Sequence, residues 1–169
     1  MRRVNRARSL ILLAAALAAP ALAQPRSLGI FSTWGAFRDG ARCYAITQPY
    51  QAPPAQAWRP FVSIGHWPAQ GPGGQLHVRL SREKRPGSAV LIRIDGRSVQ
   101  LRGGGRDAWA PDVRADIEIQ AAMRNGIELA VETRSTDGRL VRDLYRLRGA
   151  ATAMDAAAIA CAPGRRASR

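Results

Sequence analysis

Three Asp-Gly dipeptides, Asp39-Gly40, Asp95-Gly96 and Asp137-Gly138, each lie between short apolar-rich runs, and nothing else in the chain restricts its fold as much. A two-residue hairpin turn needs positive φ angles at its centre, and Asp-Gly supplies them at little steric cost. The spacing predicts three hairpins and hence an antiparallel β protein. The runs beside the turns alternate as half-buried strands do. Val90, Ile92 and Ile94 share one face before the second turn, and Val99 and Leu101 share one after it. Ile127, Leu129 and Val131 are expected inward with Glu128 and Glu132 outward, and Val141, Tyr145 and Leu147 form the facing set across the third turn. Leu76, Val78 and Leu80 alternate with His77 and Arg79 in the same way.

Two stretches break the period of two. Residues 111–124 open with Pro111 and Asp112, place Ile117 and Ala121 four apart and stop at Asn125-Gly126, which predicts a short helix. Residues 152–161 predict a second, with Thr152 as N-cap and Met154, Ala158 and Cys161 on one face. The segments 48–60 and 68–74 read as long, turn-rich loops, and no internal repeat is visible.

The chain begins with four arginines among its first nine residues, followed by an apolar run, Leu10 to Ala19, and the small-residue signature Ala21-Leu22-Ala23. That order is a secretory signal peptide over residues 1–23. The run is too short to span a bilayer, which takes about 20 apolar residues, and no later segment is long enough. The expected product is a soluble periplasmic protein starting at Gln24, with one domain over 24–161 and a disordered basic tail over 162–169. The full chain has 26 Lys+Arg against 12 Asp+Glu, so removal of the leader's four arginines leaves a net charge of +10. Lys84 is the sole lysine.

In an oxidising compartment a lone pair of cysteines is by default a disulfide, so Cys43 is expected to bond Cys161. Nucleophilic or metal-binding roles would need further ligands or a nearby histidine, and His66 and His77 lie in unrelated segments. The bridge would tie the second helix to an early strand.

The stretches "GIFSTWGAF", "RCYAITQP", "GHWPA", "DAWA", "AAMRNG", "TRSTDG", "RDLYRLRG" and "MDAAAIAC", in this order, resemble the invasion-associated locus B family of exported alphaproteobacterial proteins. The likeness runs from Leu28 to Cys161 and includes Phe31, Trp34, Cys43, Tyr44, His66, Pro68, Trp109, Met123, Asp143, Tyr145, Leu147 and Gly149. The chain departs from the family pattern at residues 80–85 and at Ala150, where aromatic residues are lost. The resemblance implies an antiparallel immunoglobulin-like β-sandwich, an envelope location, and no catalytic site or cofactor.

Charge and aromatics supply the remaining candidates. Arg79, Arg93 and Arg142, with Arg97, Arg102 and Arg146, fall mainly on outward strand positions and are candidates for binding anionic lipid, lipopolysaccharide or an acidic protein. Glu128, Glu132 and Asp143 are expected to neutralise part of that surface. Nucleic acid is excluded by the compartment and by the lack of a recognition motif. The alternative function is a small periplasmic hydrolase using His66, although Ser63 and Ser81 lack any nucleophile motif and no metal is implied. The run Arg102 to Arg106 reads as a flexible glycine connection rather than a phosphate cradle. Trp34, Trp58, Trp67 and Trp109 are potential groove linings, with Trp34 and Trp109 expected in the core.

Overall fold

The computed structural model describes residues 24–53, 57–70 and 73–162. The signal peptide expected at 1–23 and the tail expected at 162–169, apart from Ala162, lie outside the described residues. The described residues are mainly β, with ten strands and two helices among them: β1 (Arg26–Phe31), β2 (Trp34–Asp39), β3 (Arg42–Thr47), β4 (Phe61–His66), β5 (Gln75–Arg79), β6 (Val90–Ile94), β7 (Arg97–Gly104), β8 (Asp107–Trp109), α1 (Val113–Asn125), β9 (Glu128–Arg134), β10 (Leu140–Arg146) and α2 (Ala150–Ala160). A single 3-10 turn, Pro68–Gln70, follows β4. No helix among the described residues is long and apolar enough to cross a membrane.

All three Asp-Gly dipeptides fall at hairpin connections, β2 to β3, β6 to β7 and β9 to β10, but only Asp95-Gly96 has both residues at positive φ. Asp39 is the last paired residue of β2, and in the other two turns only Gly40 and Gly138 are left-handed. Two more hairpins carry weaker signals. The β1–β2 turn uses Ser32 at φ 58°, and the β7–β8 turn uses Gly105 at φ 57°. The arginine-glycine run is therefore a paired hairpin tip, with Arg102 opposite Trp109 and Gly104 opposite Asp107, instead of a loose connection.

The strands form one antiparallel ladder in the order β1-β2-β3-β4-β5-β8-β7-β6-β9-β10. One apolar core draws on nearly every strand, from Trp34 on β2 through Ile64, Val78, Ile92 and Leu129 to Tyr145 on β10. The far ends of the ladder also meet. Trp34 Nε1 donates to the Arg146 carbonyl at 2.9 Å, and Gln51 pairs with Leu144 as a β-bridge.

The alternation holds with two exceptions. Ile127 precedes its strand and is exposed, while Ala130 is buried among its inward neighbours. Asp143, expected on the charged surface, is fully buried because it lies on the same face as Val141 and Tyr145. It accepts from the Ser81 N–H at 2.9 Å and from the Ser81 hydroxyl, which satisfies a carboxylate that water cannot reach.

Both helices differ in detail from expectation. Asp112 caps α1, accepting from Ala115 N at 2.8 Å. Its inward face is Ala115, Asp116, Ile119 and Met123, so Ile117 points outward and is exposed. Asp116 also accepts from the Leu76 N–H at 2.7 Å, which ties α1 to β5. Helix α2 starts two residues before Thr152, on Gly149 in the left-handed region at φ 92° and without a side-chain cap. A Cβ at Gly149 would stand 1.9 Å from the Phe31 carbonyl oxygen, so only glycine fits there. The inward side of α2 is Ala150, Ala153, Met154 and Ala157; its three alanines let it pack closely against β1, β2, β3 and β4, and Met154 enters the core. Cys161, just past the helix, bonds Cys43 of β3 with Cα atoms 5.7 Å apart.

Candidate functional site

Residue pairing across the ladder brings one set of outward side chains together. On β4 these are Phe61, Ser63 and Gly65. Register places Ile46 and His77 on either side of Ser63, Tyr44 and Gln75 beside Gly65, and Arg79 beside Phe61. Strand β8 extends the rows, setting Trp109 against His77 and Asp107 against Arg79, and β7 adds Arg102 beyond Trp109. The central strand thus contributes its two smallest outward residues where its neighbours contribute rings. The result is a groove of about 430 Å³ lined by Tyr44, Phe61, Ser63, Trp67, His77 and Trp109, with Arg42 and Arg79 on its rim.

The rings are ordered against one another. His77 and Trp109 stack 5.2 Å apart and within 4° of parallel, and the Phe61 ring meets His77 edge-on at 5.0 Å. Tyr44 stacks on Phe37 of β2. Trp67 lies across Gly65: a Cβ there would be 2.7 Å from the indole ring, so the missing side chain is what lets Trp67 fold down. The guanidinium of Arg42 lies 4.6 Å from the Tyr44 ring centre, and that of Arg79 lies 5.4 Å from Phe61. Such contacts stabilise by about 0.5–1 kcal/mol at exposed sites and hold the charges in place.

Two carboxylates complete the rim. Asp107 accepts from His77 Nε2 at 2.8 Å and from Arg79 Nε at 3.0 Å. Partial burial pushes the Asp107 carboxyl up, but these two hydrogen bonds outweigh it and hold the pKa below the usual carboxylate value. Arg79 uses Nε for this bond, which keeps its terminal amino groups for another acceptor. Asp39 pairs with Arg42 at 3.3 Å.

The three arginines singled out from sequence do not form one surface. Arg79 belongs to the groove. Arg93 and Arg142 lie on the β6–β9–β10 part of the ladder, where both bond the same carboxylate, Glu132, at 2.8 and 3.3 Å. Of the three anions expected to temper this charge, Glu132 does so twice, Glu128 accepts from the Tyr50 hydroxyl, and Asp143 is buried in the core.

The aromatics and histidines also sort differently from expectation. Trp34 is fully buried, but Trp109 is 38% exposed and forms a wall of the groove. Trp58 donates to the Leu80 carbonyl at 2.7 Å and carries Arg106 over its ring. Pairing across β5 and β8 was not legible in sequence, which is why Trp109 reads there as core. His66 is buried with no partner at Nε2, and burial, then the charge of Arg124, pushes its pKa down. The histidine bonded to a carboxylate is His77. Ser63 sits opposite it, but its hydroxyl donates to the His77 backbone carbonyl at 3.4 Å. Ser81 is committed to Asp143.

No family model, curated protein or solved structure matches the chain.

Proposed function

We propose that this is an exported envelope protein of the invasion-associated locus B type, acting without catalysis by binding through the outward groove over β3, β4, β5 and β8. The observation that carries the reading is the cross-strand row Ile46-Ser63-His77-Trp109-Arg102, in which small residues on the central strand open a trough between rings on its neighbours. A concave, mainly apolar surface with a few fixed polar groups is the usual form of a binding site. The leader at residues 1–23 and the ordered motifs from Leu28 to Cys161 support the periplasmic location and the family.

The same reading includes an immunoglobulin-like sandwich, made by folding the continuous ladder over so that β1–β5 face β6, β9 and β10. The Trp34 to Arg146 bond, the Gln51 to Leu144 bridge and the main core cluster, which draws on both groups of strands, support it. The hydrolase alternative on His66 has less support, since its Nε2 meets neither a carboxylate nor any other partner among the described residues.

The test is retention of envelope extract by the full chain, expressed for export and immobilised. Tyr44→Ala with Trp109→Ala is expected to cut retention about tenfold or more, the loss typical of aromatic anchors. Arg93→Gln with Arg142→Gln is expected to change it by less than about twofold, because neither lines the groove. The opposite ranking would move the binding face to β6, β9 and β10.

A further inference from the structure

We infer that the ligand of the groove is an acidic saccharide, a glycan that presents a carboxylate among neutral hydroxyls. The inference rests on the binding reading above and names its ligand class. Two features of the groove carry it: an exposed flat ring and paired charges of both signs.

Trp109, stacked on His77 and 38% exposed, is the open aromatic surface at the groove, whereas the Tyr44 ring is already covered by Phe37 and the Arg42 guanidinium. An aromatic face is electron-rich and attracts the slightly positive C–H groups on the flat side of a sugar ring. Ser63 and Gly65 lie between the rings of the neighbouring strands, so the trough runs across the sheet and suits a chain passing over it. A fatty acyl chain would need a deep apolar slot, and the rim here is polar.

Charge separates a saccharide from a polyanion. Arg42 and Arg79 at the groove are each paired with one carboxylate, Asp39 and Asp107, and Arg102 stands beside Trp109 in register as a further cation. A nucleic acid strand also stacks on aromatic rings, but it carries a phosphate at every step, and Asp39 and Asp107 would repel it. Sugar hydroxyls need acceptors as well as donors, and the two carboxylates supply them. Arg79, with its Nε held by Asp107 and its terminal nitrogens available, presents a planar fork that a ligand carboxylate can meet.

The experiment is titration calorimetry of the exported full chain with oligogalacturonate, its methyl ester, muramic-acid-containing glycan fragments, phosphatidylglycerol vesicles and single-stranded oligothymidylate. The expected result is binding of at least one of the two acidic saccharides. For oligogalacturonate the comparison is direct, with the methyl ester about tenfold weaker. Trp109→Ala is expected to lose saccharide binding altogether. Arg79→Gln should remove the advantage of acid over ester while leaving the ester's affinity in place, a readout that general loss of structure would not give. Arg79→Lys, which keeps the charge but loses the planar fork, should remove part of the same advantage and provides the readout if the first variant folds poorly. Failure of both acidic saccharides while envelope retention by the unaltered protein persists would overturn this inference and leave the binding reading standing. Failure of both would overturn both. Tighter binding of vesicles or oligothymidylate than of any saccharide would overturn the inference in favour of that ligand.

Discussion

Over β3, β4, β5 and β8 the outward arginines lie against aromatic rings, Arg42 on Tyr44 and Arg79 on Phe61, whereas over β6, β9 and β10 Arg93 and Arg142 lie against one shared carboxylate, Glu132. The same residue type thus serves two ends. In the first region a row of small residues on the central strand opens space between rings, and the charges border a concavity. In the second, Glu132 offsets half the charge of its two partners. A strongly basic composition does not by itself mark a site, and the arrangement of neutral neighbours decides what an arginine can reach.

The two regions are also supported differently from within. Behind the groove, α2 packs on β1 to β4, and the Cys43–Cys161 bridge fastens it to β3, so that Tyr44 faces the groove while the adjacent Cys43 is bonded to the helix end. Behind β10, the corresponding tie is the buried Asp143 held by Ser81. One tie is covalent and indifferent to protons. The other is a hydrogen-bonded carboxylate.

The largest effect separating the regions should come from the bridge. Opening a loop of 118 residues by Cys43→Ser with Cys161→Ser is expected to cost about 2–5 kcal/mol in a denaturant titration. Hydrogen exchange should then show protection lost first in β2, β3 and α2, with β6, β9 and β10 keeping theirs. Uniform loss would mean that the two regions are not separately braced.

A smaller effect, of opposite sign in the two regions, should follow from pH. Burial, followed by the charge of Arg124, holds His66 below its ordinary pKa of 6.5, so the folded state keeps it neutral where the unfolded chain protonates it. The stability it contributes is present above about pH 6.5 and is lost as pH falls toward the folded value. Burial raises Asp143 above its ordinary 3.8 despite the opposing Ser81 hydrogen bonds. Its contribution is therefore greatest below that ordinary value and declines as pH rises through the raised one. In melting curves across pH, His66→Gln should flatten the loss on the acid side of 6.5. Asp143→Asn, which keeps an acceptor for the Ser81 N–H, should flatten the decline above 3.8. Unchanged profiles in both variants would remove these groups from the stability account.

Much of the scaffold was legible in the chain. The Asp-Gly pairs marked three hairpins because the turn geometry is local, and the cysteine count marked the bridge because the pair had no other partner. The alternation of Val141, Tyr145 and Leu147 already placed Asp143 on the inward face, and only its charge argued otherwise. The groove was less accessible. Ser63, His77 and Trp109 lie on three strands, and their meeting depends on β8 standing between β5 and β7, a long-range choice that no local period encodes. Trp109 reads as core beside Ala108 and Ala110 for the same reason. Gly149 carried a readable hint as a glycine just ahead of α2, but the Phe31 carbonyl that demands it is more than a hundred residues away.

Amide chemical-shift mapping would show whether ligand meets the face over β3, β4, β5 and β8. With isotope-labelled full chain titrated with solubilised envelope glycan, the account predicts the largest shifts at Tyr44, Ser63, Gly65 and His77 and at the Trp109 indole N–H, with Arg93, Glu132 and Arg142 nearly still. Shifts centred on Arg93, Glu132 and Arg142, with the groove residues unmoved, would contradict it.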